Sequence, residues 1–84
     1  MMNKVMVELK IPVTDASYDV LLPRTLSVDQ VTKLLAEFFK DMTGGAYMPD
    51  EDVVLCSMED GRIYHVNSSV ESLKLKNGSK LMLI

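Results

Sequence analysis

One amphipathic helix constrains this chain more than any other feature of its sequence. Residues 26–45 read LSVDQVTKLLAEFFKDMTGG, with Ser27 at the N-cap position and Gln30 three residues later, the spacing of a capping box. Gly44 and Gly45 favour a stop, because glycine takes the left-handed conformation at a helix C-terminus at little cost. We therefore predict a helix over residues 28–43.

The predicted helix is apolar on one side only. A one-sided helix needs a second layer to cover its apolar stripe, so the rest of the chain must supply that layer. Phe39 lies one step off the stripe, and the sequence leaves open whether it packs at the helix edge or stays exposed. The stripe, with spacings of three and four, consists of Val28, Val31, Leu34, Leu35, Phe38 and Met42.

Short strand-like segments make up the rest of the chain. Pro12 ends the first of these segments, because proline has no N–H to donate to a strand ladder. Val70 and Leu73 are three residues apart, which fits a single helical turn before the last strand-like segment. The order predicts an α+β fold in which a mixed sheet of four to five strands carries the helix across one face. The predicted strands lie at 4–11, 18–22, 53–58, 63–66 and 80–84.

Length and composition narrow the functional classes. A chain of 84 residues has room for one domain, 1–84. The net charge of −3 and the scattered lysines argue against nucleic-acid binding. The lone Cys56 excludes an internal disulfide and a thiolate metal site. Because no apolar run is long enough for a membrane helix or a signal peptide, we expect a cytoplasmic protein without direct membrane insertion.

The candidate catalytic groups lack partners in the sequence. His65 is the only histidine, and Cys56 lies in an apolar strand-like segment, so neither has the neighbouring base or acid that catalysis needs. The acidic loop at 50–52 lacks the ligand spacing of a calcium loop, and Gly44 and Gly45 lack phosphate-loop register. We expect no catalytic, cofactor-binding or metal site, and no enzyme activity.

The face of the sheet opposite the helix is the more informative surface. An antiparallel sheet with one solvated face should be polar there, and five apolar residues are more than such a face needs. We predict a protein-interaction patch, for which two occupants are consistent: a second copy of the chain, giving a homodimer, and a different protein. Strand parity assigns to this patch Met6, Leu21, Val54, Met82 and Ile84.

Residues 70–84, VESLKLKNGSKLMLI, resemble the end of the ubiquitin-like β-grasp pattern: a helical turn, a glycine turn and a strand of alternating leucines. The resemblance extends over essentially the whole chain. Within that superfamily the chain resembles the YukD/EsaB-like proteins, through its VELKIPV and YDVLL strands, the Ser27-Val28 helix start and the GSKLMLI ending. These proteins are accessory components of Gram-positive type VII (Esx) secretion systems. The resemblance implies a ubiquitin-like fold and partners among secretion-system components.

One departure from ubiquitin has chemical meaning. Ubiquitin and the related sulfur carriers end in a flexible Gly-Gly tail, whose carboxylate is adenylated and then joined to an amine or to sulfur. This sequence reaches Ile84 without such a tail, so we expect a module that is not conjugated. The alternative is a β-grasp modifier or sulfur-carrier relative whose Gly-Gly tail is lost or lies past Ile84; a gene that continues would favour it.

Overall fold

A computed structural model describes residues 3–49 and 52–84. In this part of the chain, four strands form one sheet in the order β2-β1-β4-β3, and α1 covers one face of it. The β1–β4 pair is parallel and the other two pairs are antiparallel, so the predicted mixed sheet with one helix across it is confirmed. The elements are β1 Lys4–Ile11, β2 Ala16–Pro23, α1 Val28–Met42, β3 Leu55–Ser57 and β4 Ser79–Leu83, with 3₁₀ turns at Pro12–Thr14 and Glu71–Leu73.

The start of α1 is fixed by the predicted capping box. The Ser27 Oγ accepts the Gln30 backbone N–H at 3.1 Å, and the Gln30 Oε1 accepts the Ser27 N–H at 2.9 Å. The next two free donors of the helix are also satisfied, because the N–H groups of Val28 and Asp29 donate to the carbonyls of Ser68 and Val66. The segment that follows β3 is thereby tied to the first turn of α1.

These same bonds explain why the strand predicted at 63–66 is wrong. Its contact with the sheet is an isolated bridge between Ile63 and Cys56, after which the carbonyl of Val66 accepts from α1. Beyond the bridge, the carbonyls of Val66 and Ser68 accept from the first turn of α1, so the segment leaves the sheet there. Within the described ranges the sheet therefore has four strands, and β3 is three residues long where the sequence predicted six.

The buried face of α1 is rotated from the predicted stripe. The prediction that Leu34, Phe38 and Met42 face the core is wrong, because these residues are 61%, 56% and 45% exposed. Phe39 is instead fully buried, with its ring centroid 4.9 Å from that of Tyr18 on β2. Two of the buried residues of α1, Thr32 and Ala36, have small side chains, which fit between the helix and the sheet in this orientation. The buried residues of α1 are Val28, Val31, Thr32, Leu35, Ala36 and Phe39.

The core lies between α1 and the face of the sheet that it crosses. Every second residue of β1 is fully buried there, and Leu81 and Leu83 on β4 continue the same layer. Tyr18, Val20 and Val53 are partly buried at its margin. The sheet side of the core is therefore the one that strand alternation predicted. No helix in the described ranges has the length and apolar character needed to cross a membrane.

Candidate protein-interaction surface

The outer face of the sheet, which α1 does not cover, carries the five residues of the predicted patch. Directly opposed residues of an antiparallel pair share a face, and Met6 is opposed to Leu21 in the β1–β2 register. At the other end of the face, Met82 is opposed to Cys56. The five residues are Met6, Leu21, Val54, Met82 and Ile84, of which Met6, Leu21 and Ile84 are exposed and the other two half-buried.

A charged row divides these five residues into two groups. Glu8 on β1 lies between Asp19 on β2 and Lys80 on β4 in the register of the sheet. Met6 and Leu21 lie on one side of this row. On the other side, Val54 and Ile84 exchange both backbone hydrogen bonds, at 2.7 and 3.0 Å, beside Met82. The outer face therefore offers two separate apolar areas.

Ile63 enlarges the second area. It is directly opposed to Cys56 in the bridge, so it shares the face with Met82, and it is 59% exposed. Sequence reasoning missed it, although the neighbouring Tyr64 is buried in the core and alternation then places Ile63 outward. We name the β3–β4 patch by its four residues: Val54, Ile63, Met82 and Ile84.

An apolar groove of about 400 Å³ adjoins the β3–β4 patch. Ile84 lines it together with Pro12, Val13 and Met48, of which Val13 and Met48 are among the most exposed apolar residues, at 70% and 68%. Val13 lies in the short 3₁₀ turn after β1 and Met48 in a loop. Neither segment is long enough to show a helical or strand periodicity, so the sequence did not indicate these residues. Because Ile84 belongs to both features, groove and patch form one continuous apolar surface.

The two candidate catalytic residues lie in unlike surroundings. Cys56 is 1% exposed, and burial raises the pKa of its thiol. His65 is exposed, and its Nδ1 accepts the backbone N–H of Asn67 at 3.1 Å. Within 3–49 and 52–84, no three His, Cys, Asp or Glu side chains gather as metal ligands would. Of the acidic loop, Asp50 and Glu51 lie outside the described residues.

The raised pKa of Cys56 leads to a reactivity prediction. A thiol with a raised pKa holds less thiolate at neutral pH, and burial also keeps reagents away, so native Cys56 should be alkylated by iodoacetamide far more slowly than a free cysteine. Mass spectrometry over time at pH 7 measures the rate, with the protein in urea as the control. Alkylation as fast in buffer as in urea would contradict the buried environment.

Comparison with known proteins places the fold. No protein-family model matches the sequence, and no curated protein does. Among solved structures, the ubiquitin-like domain of EccD5 from Mycobacterium xenopi aligns with a TM-score of 0.71 and 18% identity, over 96% of this chain and 92% of that one. The ubiquitin of Caldiarchaeum subterraneum aligns with a TM-score of 0.73 and 18% identity, over 96% and 91%.

A chain of the MycP5-free ESX-5 inner membrane complex aligns with a TM-score of 0.81 and 19% identity. The alignment covers 98% of this chain but only 21% of that one, so the likeness concerns one part of a much larger protein. At these identities the comparisons bear on architecture alone. Together with the strand order and the single crossing helix, they show that this chain has the ubiquitin-like β-grasp fold.

Proposed function

We propose that this chain is a protein-binding module that acts as an accessory component of a bacterial type VII secretion system. It works by docking on protein partners in the cytoplasm and not by catalysis. The continuous apolar surface formed by the β3–β4 patch and its groove carries the proposal. Exposed contiguous apolar surface marks protein–protein sites, and methionine adapts readily to partner surfaces.

Two lines of support favour the secretion setting. The sequence resembles the YukD/EsaB-like accessory proteins across its strands and helix start. Solved structures of similar fold include the EccD5 ubiquitin-like domain and a chain of the ESX-5 inner membrane complex. Neighbouring genes for an FtsK-type ATPase and for small helical secreted proteins would add independent support.

A deletion and complementation experiment tests this function. Deleting the gene should strongly reduce secretion of the small helical substrates, measured by immunoblotting of culture medium against cell lysate. The wild-type gene should restore secretion, whereas the Ile63→Arg, Ile84→Arg double variant should not, although it accumulates to the same level. Both side chains are more than half exposed, so the charges should be tolerated by the fold. Undiminished secretion in the deletion strain would refute the proposed role.

A further inference from the structure

A polar cleft of about 310 Å³ lies between the loop that follows β3 and the segment that leads into β4. Four cationic side chains line it: Arg62, Lys74, Lys76 and Lys80, all of them exposed. This cluster is not evident from the sequence, because other residues separate the three lysines and Arg62 lies twelve positions before the first of them. The fold brings them to one cleft.

The cleft is basic in a chain that is otherwise strongly acidic. It holds four of the nine cationic residues and, in Glu59 and Asp60, two of the twelve acidic ones. The rest of the chain therefore carries five cationic residues against ten acidic ones. Such segregation within a chain of net charge −3 creates a local positive potential that can attract and orient a ligand of opposite sign.

The lysines of the cleft are available for a ligand. Elsewhere on the surface, Lys10 pairs with Asp15 at 3.4 Å and Lys33 with Asp29 at 3.1 Å. By contrast, Lys74, Lys76 and Lys80 form no ion pair within 4.0 Å with any other residue of 3–49 and 52–84.

The backbone that carries these lysines is held in place. The Lys76 N–H donates to the Ser79 Oγ at 3.0 Å. The Met6 N–H donates to the Asn77 Oδ1 at 3.0 Å, and the Gly78 N–H donates to the Met6 carbonyl at 2.8 Å. The turn before β4 is thus bonded to itself and to β1. A binding loop that is already ordered loses less conformational entropy when a ligand arrives.

We propose that this basic cleft binds an acidic segment of a partner protein, a short run rich in aspartate and glutamate. Lysine ammonium groups act as separate point charges, which suits side-chain carboxylates spaced along an extended peptide. The rest of the chain, with five cationic residues against ten acidic ones, disfavours a long polyanion such as nucleic acid, which would extend beyond the cleft. The inference rests on the proposed function only in taking the ligand to be a protein, and no residue of the β3–β4 patch lines the cleft.

Fluorescence anisotropy with a labelled peptide of about ten glutamates tests the cleft at low salt, where screening is weak. The Lys74→Glu, Lys76→Glu variant should bind the peptide at least about tenfold more weakly than wild type, since each change replaces an attraction by a repulsion. The matched control, Lys4→Glu with Lys40→Glu, alters net charge equally at two exposed positions outside the cleft and should stay within about threefold of wild type.

Three results would overturn the proposal. They are the absence of peptide binding by wild type at low salt, equal weakening in the two variants, and tighter binding of a single-stranded DNA of equal charge through the same lysines. Circular dichroism establishes that both variants are folded. The charge-neutral Ile84→Gln change in the β3–β4 patch should leave peptide binding unchanged. The secretion role is tested by variants of the β3–β4 patch and the acidic-segment site by variants of the cleft, so failure of one can be distinguished from failure of the other.

Discussion

Replacing Phe39 with alanine is expected to lower the free energy of unfolding by about 3–5 kcal/mol. The side chain is fully buried and lies against Tyr18, with 4.9 Å between the ring centroids. Its removal loses apolar burial and leaves a cavity between α1 and the sheet, since closely packed surroundings relax only partly. For a domain of this size the loss is a large share of total stability, typically about 5–15 kcal/mol.

Phe38→Ala is the matched control, because it removes the same side chain from the next position. Phe38 is 56% exposed and contacts the Phe39 ring edge-on at 5.0 Å between centroids. We expect this change to cost no more than about 1.5 kcal/mol, the range of one aromatic pair. Urea denaturation measures both losses, provided that the dependence of the unfolding free energy on urea concentration is the same in the variants and in wild type. Equal losses, or a larger loss for Phe38, would mean that α1 is rotated toward the stripe inferred from sequence.

The elements whose determinants are local could be predicted from the sequence. Ser27 and Gln30 lie three residues apart, so their capping box is visible without any tertiary contact. The alternation of β1 likewise identifies its buried residues, because period two admits only two faces. Residues on the outer face of the sheet follow from the same alternation.

Two faces of α1 are apolar enough to be buried, and the sequence alone does not decide which of them packs on the sheet. Adjacent residues lie about 100° apart around a helix, and Phe38 and Phe39 are adjacent, so only one of the two rings can face the centre of the core. The predicted and observed stripes share Val28, Val31 and Leu35, and both are apolar at helical spacing. The buried alternative passes through Thr32 and Ala36, whose small side chains fit against the sheet. Hydropathy alone scores these two residues below Leu34 and Phe38, and therefore favours the wrong stripe.

Features made by distant segments were also beyond the sequence. The segment that includes Ile63 and Val66 bonds to β3 and then to α1, so its strand-like composition does not become a strand. The groove lined by Val13 and Met48 joins two loops, and the basic cleft joins Arg62 to residues near β4. Each of these features forms only when segments that are distant in the sequence come together in the folded chain.

The second large effect is expected on partner binding. In the Ile63→Arg, Ile84→Arg variant, two cations enter the β3–β4 patch at positions that are 59% and 51% exposed. A partner whose apolar surface buries this patch must desolvate both charges, which is costly because apolar contacts do not compensate a charge. We expect affinity for the proposed secretion-system partner to fall by about 30-fold or more, the effect of losing a binding hot spot.

The control variant introduces the same charges on the other side of the molecule. Leu34 and Phe38 on α1 are 61% and 56% exposed, so Leu34→Arg with Phe38→Arg matches the first variant in exposure and in charge. A third variant, Met6→Arg with Leu21→Arg, probes the apolar pair beyond the charged row of the outer face. Circular dichroism and urea denaturation of each variant separate loss of binding from loss of fold.

The affinity of the β3–β4 and α1 variants for the detergent-solubilised secretion complex, measured side by side by biolayer interferometry, tests the central claim most directly. That claim assigns recognition to the outer sheet face, which α1 leaves uncovered. We predict that the Ile63→Arg, Ile84→Arg variant loses binding while the Leu34→Arg, Phe38→Arg variant binds as wild type. Loss of binding in the α1 variant, with binding retained in the β3–β4 variant, would contradict the claim and move recognition to the exposed flank of the helix.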